Sequence, residues 1–175
     1  MPMAEDRVRY HFRDAGREDV PLLLEWLARP HITEWWGDDP DASLAEIRDA
    51  MAGVETTPLI VEMEGRPVAY LQSYDPHLEA GHPYQDQPVG TLGMDVSIGP
   101  AELLGKGHGS AIIRQYAEEL FRRGARRIVI DPDPANRRAI RAYEKAGFRF
   151  LDRRTTIYGP AFFMALDAPQ ETDLT

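Results

Sequence analysis

The sequence predicts an α/β domain, and three observations carry that prediction. Segments with strand-like alternation are interleaved with segments whose apolar residues recur at helical spacing. A glycine-rich run, Leu103-Leu104-Gly105-Lys106-Gly107-His108-Gly109-Ser110, joins one strand to the best-patterned helix. The 175 residues can bury one core, and no internal repeat or low-complexity tract divides them. One domain is therefore expected over 1–175, with its core at about 8–166 and a frayed tail at 168–175.

Val8 to Arg13 alternates as a first strand. Asp19 is placed to cap a helix carrying Val20, Leu22, Leu23, Leu24, Trp26 and Leu27, which Arg29-Pro30 ends. The run from His31 to Gly37 contains Trp35-Trp36. Adjacent tryptophans point in different directions on any regular element, so one ring can line a cleft against a sugar or cation, or both can pack structurally. Ser43 is placed to cap a second helix through Met51. Pro58–Met63 and Pro67–Tyr74 read as strands joined at Glu64-Gly65-Arg66. Asp75 to Gly90, punctuated by proline and glycine, reads as a long loop, and substrate contact through Tyr84 and Asp86 is its preferred role.

Thr91 to Ile98 is a strand with Leu92, Met94, Val96 and Ile98 on one face and Asp95 mid-run. The helix after the glycine run sets Ile112, Ile113, Tyr116, Ala117, Leu120 and Phe121 on one side, and Gly124 stops it. Arg126–Ile130 is a short buried strand ended by Asp131-Pro132-Asp133-Pro134. Asn136 opens a helix that Gly147 closes, and Phe148–Leu151 and Ala161–Leu166 are the last strands.

Three glycines at alternate positions, ahead of a helix whose dipole points its positive end at them, suit a phosphate or pyrophosphate held by main-chain donors; chain turning is the other use of such a loop. The Walker pattern fails because Gly107 follows Lys106, and the dinucleotide pattern because Ser110 replaces the third glycine. Charge is divided. The net is −9, but residues 21–100 hold fourteen acidic and three basic residues, while residues 101–158 hold thirteen basic and seven acidic. A basic part around the glycine loop favours an anionic cofactor, and an acidic part favours a small cationic substrate. The acidic total argues against nucleic acid. Absence of cysteine excludes disulfides, thiolate metal sites and cysteine nucleophiles; the histidines lack ligand spacing, so no metal is expected. No apolar run is long enough for a membrane span or signal segment, so a cytoplasmic protein without membrane contact is expected, as a monomer or weak dimer.

The element order, Gly105 through Gly109, and Asn136 through Phe148 resemble the GNAT superfamily of acetyl-CoA-dependent N-acetyltransferases. Glu25-Trp26-Leu27, His31 through Gly37, Gln72-Ser73-Tyr74, Gly93-Met94-Asp95 and Asp131-Pro132 resemble its aminoglycoside 6′-N-acetyltransferases. The resemblance covers roughly Val8 to Leu166; it departs at Leu104, where the superfamily carries Gln or Arg, and in the loop 75–90. It implies a mixed, mostly antiparallel sheet of six to seven strands flanked by about four helices. It also implies acetyl transfer to the 6′-amine of aminoglycoside antibiotics in a ternary complex, conferring resistance. Asp95 would be the general base or only the counter-ion of the substrate amine, and Tyr143 would protonate the coenzyme A thiolate. Val96 would offer an N–H to the oxyanion. Val96, Ile98, Leu103, Gly105, Lys106, Gly107, His108, Gly109, Ser110, Asn136 and Tyr143 would hold acetyl-CoA, with Trp36, Asp95 and Asp131 on the aminoglycoside; Tyr84 and Asp86 join them from the reading of the loop alone. A GNAT enzyme acting on a siderophore-precursor amine or hydroxylamine is the alternative; it would favour a histidine at the acceptor, for which His82 is the candidate. A non-catalytic acyl-CoA-binding module is a third reading.

Overall fold

A computed structural model describes residues 7–170, so the end of the expected frayed tail, 171–175, lies outside the described residues. Its strands are β1 (Tyr10–Asp14), β2 (Thr56–Met63), β3 (Arg66–Tyr74), β4 (Thr91–Ile98), β5 (Arg127–Ile130), β6 (Arg149–Thr156) and β7 (Gly159–Asp167). They form one open sheet in the order β1-β2-β3-β4-β5-β7-β6. Only β4 and β5 pair in parallel; the other neighbours are antiparallel. The helices are α1 (Val20–Leu27), α2 (Pro30–Thr33), α3 (Pro40–Ala52), α4 (His108–Arg122) and α5 (Arg137–Lys145). The sheet matches the expectation; the helix beyond the expected four is α2, a single turn that Pro30 opens.

Two cap assignments change. Asp39, not Ser43, caps α3, its side chain accepting from Ala42 N, because Pro40 fills the first helical position and fixes the start there. Asp19 precedes α1, but its carboxylate does not cap that helix. It is buried instead under Arg13, taking both guanidinium nitrogens at 2.8 Å and the Gly16 N–H at 2.8 Å. The last hairpin is longer than its apolar cores suggested, because the charged residues Asp152, Arg153 and Arg154 continue β6.

The sheet is buried on both faces. Leu71, Met94, Ile128 and Met164 pack on Ile112, Ile113 and Tyr116 of α4 and on Tyr143 of α5. Ile60 and Tyr70 pack on Leu23 and Trp26 of α1 and Ile47 of α3. Full burial of each such side chain is worth roughly 1.5–3 kcal/mol relative to leaving it in water. Alternation along β4 sends Met94 and Val96 to the α4 side and Asp95 to the α1–α3 side. On Asp95's face the strand keeps glycines where large rings cross it. A Cβ on Gly93 would lie 2.0 Å from the Tyr74 ring, and one on Gly99 would lie 2.1 Å from Trp26. Among the described residues, no helix is long and apolar enough to cross a membrane.

Candidate active site

The parallel pairing of β4 and β5 covers only Thr91–Gly93 against Arg127–Val129. Beyond it the strands part, and a continued register would set Asp95 opposite Asp131. The two carboxylates therefore flank the opening of a cavity of about 910 Å³ whose wall they share with Trp36, the glycine loop and α5. Gly99 N donates to Val68 O of β3, so alternation turns the N–H and C=O of Val96 and Ile98 away from β3, toward the split. His31 Nε2 occupies the Ile98 carbonyl at 2.8 Å and ties the α2–Trp36 segment to the end of β4.

The far wall is built for an anion. Gly107 precedes α4 at φ +85°, a left-handed conformation that glycine adopts without steric cost, and no side chain caps the helix. Among the described residues, none of the N–H groups from Gly105 to Ser110 meets a loop, turn or cap partner. A Cβ built on Gly105 or Gly109 would meet nothing within 4 Å. This cradle of free donors at a helix N-terminus fits the pyrophosphate of a coenzyme. The Tyr10 hydroxyl and His108 Nδ1, 2.7 Å apart, fix the cradle to β1, and Arg114 donates to Lys145 O at 2.6 Å to fix α4 on α5. Arg137, Arg138, Arg141 and Lys145 add positive charge to the same wall.

The carboxylates are held from behind. Gln72 Nε2 donates to Asp95 Oδ2 at 2.9 Å, and the Tyr84 hydroxyl donates to Asp131 Oδ2 at 2.5 Å. Burial raises the Asp95 carboxyl above its ordinary range, against the pull of Gln72. Burial first, and then the charge of Asp95, push Asp131 up to about 7, against the Tyr84 hydrogen bond. Tyr143 is raised by burial and by both carboxylates, so its phenol stays protonated. A cavity with two facing acids on one side and unpaired amides on the other can bind an ammonium and a phosphate ester together.

Of the residues predicted from sequence, Trp36, Asp95, Val96, Ile98, Leu103, Gly105, Gly107, His108, Gly109, Ser110, Asp131, Asn136 and Tyr143 line this cavity. Three do not. Lys106 is exposed outside it, and α5 supplies the charge instead. Tyr84 is fully buried against Phe163 and reaches the site only through Asp131. Asp86 is spent in a two-bond ion pair with Arg154, at 3.0 and 2.8 Å. Asn136 caps α5 by accepting from Ala139 N at 3.2 Å. Both tryptophans of the pair line the cavity; Trp36 also packs edge-on against Tyr70, with ring centres 5.6 Å apart.

Residues 15–156 match the acetyltransferase (GNAT) domain. The chain is 39% identical over 155 residues to the aminoglycoside N(6′)-acetyltransferase type 1 of Klebsiella pneumoniae, covering 83% of this chain and 77% of that protein. It is 31% identical over 164 residues to a lysine N-acyltransferase of Mycolicibacterium paratuberculosis, covering 91% of this chain and 74% of that protein. The structure of the aminoglycoside acetyltransferase AAC(6′)-Ib in complex with coenzyme A and kanamycin superposes with a TM-score of 0.83 at 36% identity, covering 91% of this chain and 95% of that one.

Proposed function

The chain belongs to the GNAT acetyltransferases, and from that membership we propose that it transfers the acetyl group of acetyl-CoA to the 6′-amine of aminoglycoside antibiotics, conferring resistance. The observation that carries the reading is the pair Asp95 and Asp131 at the parting of β4 and β5, facing a cradle of unpaired amides. Two carboxylates in one wall suit a polycationic acceptor, and the relative from Klebsiella pneumoniae bears the name of an enzyme for such acceptors.

The acceptor amine arrives as an ammonium. Asp95 takes one proton, and the freed nitrogen attacks the thioester carbonyl carbon, forming the C–N bond and moving the carbonyl electron pair onto oxygen. The Val96 N–H, turned into the split, donates to that oxygen. Collapse breaks the C–S bond. Tyr143, kept protonated by burial, donates a hydrogen bond to the departing sulfur. A phenol raised this way is far less acidic than a thiol, so it stabilises the departing thiolate, which takes the proton that the amide nitrogen sheds and leaves as the thiol. Asp131 pairs with the acceptor's charge, and Trp36 offers it a ring face.

The relative that acylates lysine keeps a siderophore-type acceptor as the second reading. That reading favours a histidine at the acceptor, and His82 instead lies buried among the rings of Tyr74, Tyr84 and Tyr158. Coenzyme A release assayed with kanamycin-, gentamicin- and neomycin-type compounds and with hydroxylysine separates the two. Turnover of the antibiotics, with acetyl on the 6′ nitrogen by NMR, is the expected result. Turnover of hydroxylysine alone, or acetylation at another amine, overturns it.

A further inference from the structure

Behind Asp95 runs a hydrogen-bonded chain that no step of the transfer consumes. Gln72 and Asp95 lie opposite each other across β3 and β4, and Gln72 Nε2 donates to Asp95 Oδ2 at 2.9 Å. Two residues back on the same face of β3, Tyr70 is buried in the cluster formed with α1 and α3. Its hydroxyl donates to Gln72 Oε1 at 2.7 Å. The polarity of this chain is set by its end. An ionised carboxylate only accepts, so the Gln72 nitrogen must face it; the carbonyl then faces Tyr70, and the phenol must donate. Every hydrogen points toward Asp95, and the hydrogen bond that ends the chain is strongest while Asp95 carries its charge. The Tyr70 ring is held in place by its neighbours. Trp36 packs edge-on against the Tyr70 ring from the cavity side, and Ile60, Leu23 and Ile47 belong to the same buried cluster.

We propose that Tyr70 and Gln72 are positioning residues for acetyl transfer: Tyr70 fixes the Gln72 amide, and Gln72 holds the Asp95 carboxylate ionised and aimed at the acceptor nitrogen. The inference rests on Asp95 being the group that takes the ammonium proton. The titratable groups around Asp95 are Tyr70 and Tyr74 of β3, Tyr84 of the 75–90 loop, Asp131 of β5, Tyr143 of α5 and Tyr158 at the β6–β7 turn. The five tyrosines are all raised and stay neutral, and Asp131 is the carboxyl whose loss of a proton the charge of Asp95 opposes. Gln72 supplies the hydrogen bond that opposes the upward push of burial on Asp95.

The test compares the wild-type protein with Tyr70→Phe, Gln72→Met and the double variant, each checked by melting temperature and by acetyl-CoA affinity. Gln72→Met removes the donor, so the acid limb of kcat/KM for the aminoglycoside should move up by about one pH unit, tenfold in the ionisation constant. Tyr70→Phe should move it the same way by less. The double variant should match Gln72→Met alone, because Tyr70 acts through Gln72. A carboxyl-carbon NMR titration of Asp95 in the free protein reads the same shift without any acceptor. Performed in an Asp131→Asn background, it lets Asp95 titrate alone. An unmoved Asp95 midpoint in folded Gln72→Met overturns the proposal, as does additive loss in the double variant. Absence of aminoglycoside turnover by the wild-type protein would instead overturn the acceptor assignment, and the NMR titration still decides the positioning role.

Discussion

Tyr84 donates its hydroxyl to Asp131 Oδ2 at 2.5 Å from a ring with no exposed surface. A residue expected on the substrate thus works one layer back, orienting the carboxylate that faces the cavity. Tyr84→Phe keeps the ring packing and deletes one donor to a buried acid. The variant should lose about 1–3 kcal/mol of stability, the usual cost of stripping a partner from a buried polar group. Its KM for the aminoglycoside should rise while that for acetyl-CoA holds. Steady-state kinetics with each substrate varied checks this, and an equal rise in both KM values would place Tyr84 in general packing instead.

The same carboxyl makes the free protein's stability depend on pH, with a definite sign. Asp131 is raised from 3.8 to about 7, by burial and then by Asp95. Between those values the folded protein binds more protons than the unfolded chain. The contribution is fully present below pH about 4 and is lost as pH rises through about 7, on the order of a few kcal/mol. Asp131→Asn keeps an oxygen for Tyr84 and cannot ionise. It should melt higher than wild type at pH 8 and equally at pH 4, with added kanamycin-type polycation narrowing the gap at pH 8. Matching melting curves across that range would remove the conflict between site and fold.

Asp95→Asn separates catalysis from binding. The amide preserves size and can still meet Gln72, but it cannot take a proton. The rate constant for acetyl transfer should drop roughly 100- to 10,000-fold, the range for removing a general base. With acetyl-CoA held by the amides around Gly107, as proposed, its affinity should stay within about twofold, since the substitution changes none of those donors. Isothermal titration and single-turnover rates measure the two. A small rate loss with a large rise in aminoglycoside KM would make Asp95 a counter-ion only.

The strand bounds of β4 and the glycine loop were legible because each is a local pattern. An alternating run, a left-handed Gly107 and a cap at Asn136 are fixed by neighbours in sequence. Asp95 stood out as the one charge in an apolar run. What stayed hidden depends on partners far along the chain. Asp86 looked like a free acid in an acidic loop, yet Arg154, which reads as an ordinary charge on an edge strand, claims it from 68 residues away. Tyr84 looked available because loops are usually exposed; Val129, Phe163 and Ala165 bury it from two other strands. The arginines of α5 carried a signal in the basic surplus after residue 100, but only the packing of α5 on α4 turns them toward the glycine loop.

Gly109 offers a test in which stability and function move in opposite directions. It lies in the first turn of α4, and a Cβ there would meet nothing within 4 Å beyond its chain neighbours and its own helix backbone, among the described residues. Gly105 and Gly107 have φ of +72° and +85°, so alanine there adds backbone strain and confuses the outcome. Gly109 carries no such strain. Gly109→Ala should therefore stabilise the free protein, by up to about 1 kcal/mol from helix propensity alone. The new methyl group, however, projects into the space proposed for the pyrophosphate. It should weaken acetyl-CoA binding at least tenfold, about 1.4 kcal/mol, while kcat at saturating acetyl-CoA changes little, because Asp95 and Tyr143 are untouched. Thermal melts with and without coenzyme A give both numbers from one preparation: a higher melting point alone, and a smaller rise on adding the coenzyme. An undiminished rise would mean that the diphosphate does not sit over Gly109, and that the free amides from Gly105 to Ser110 serve something else.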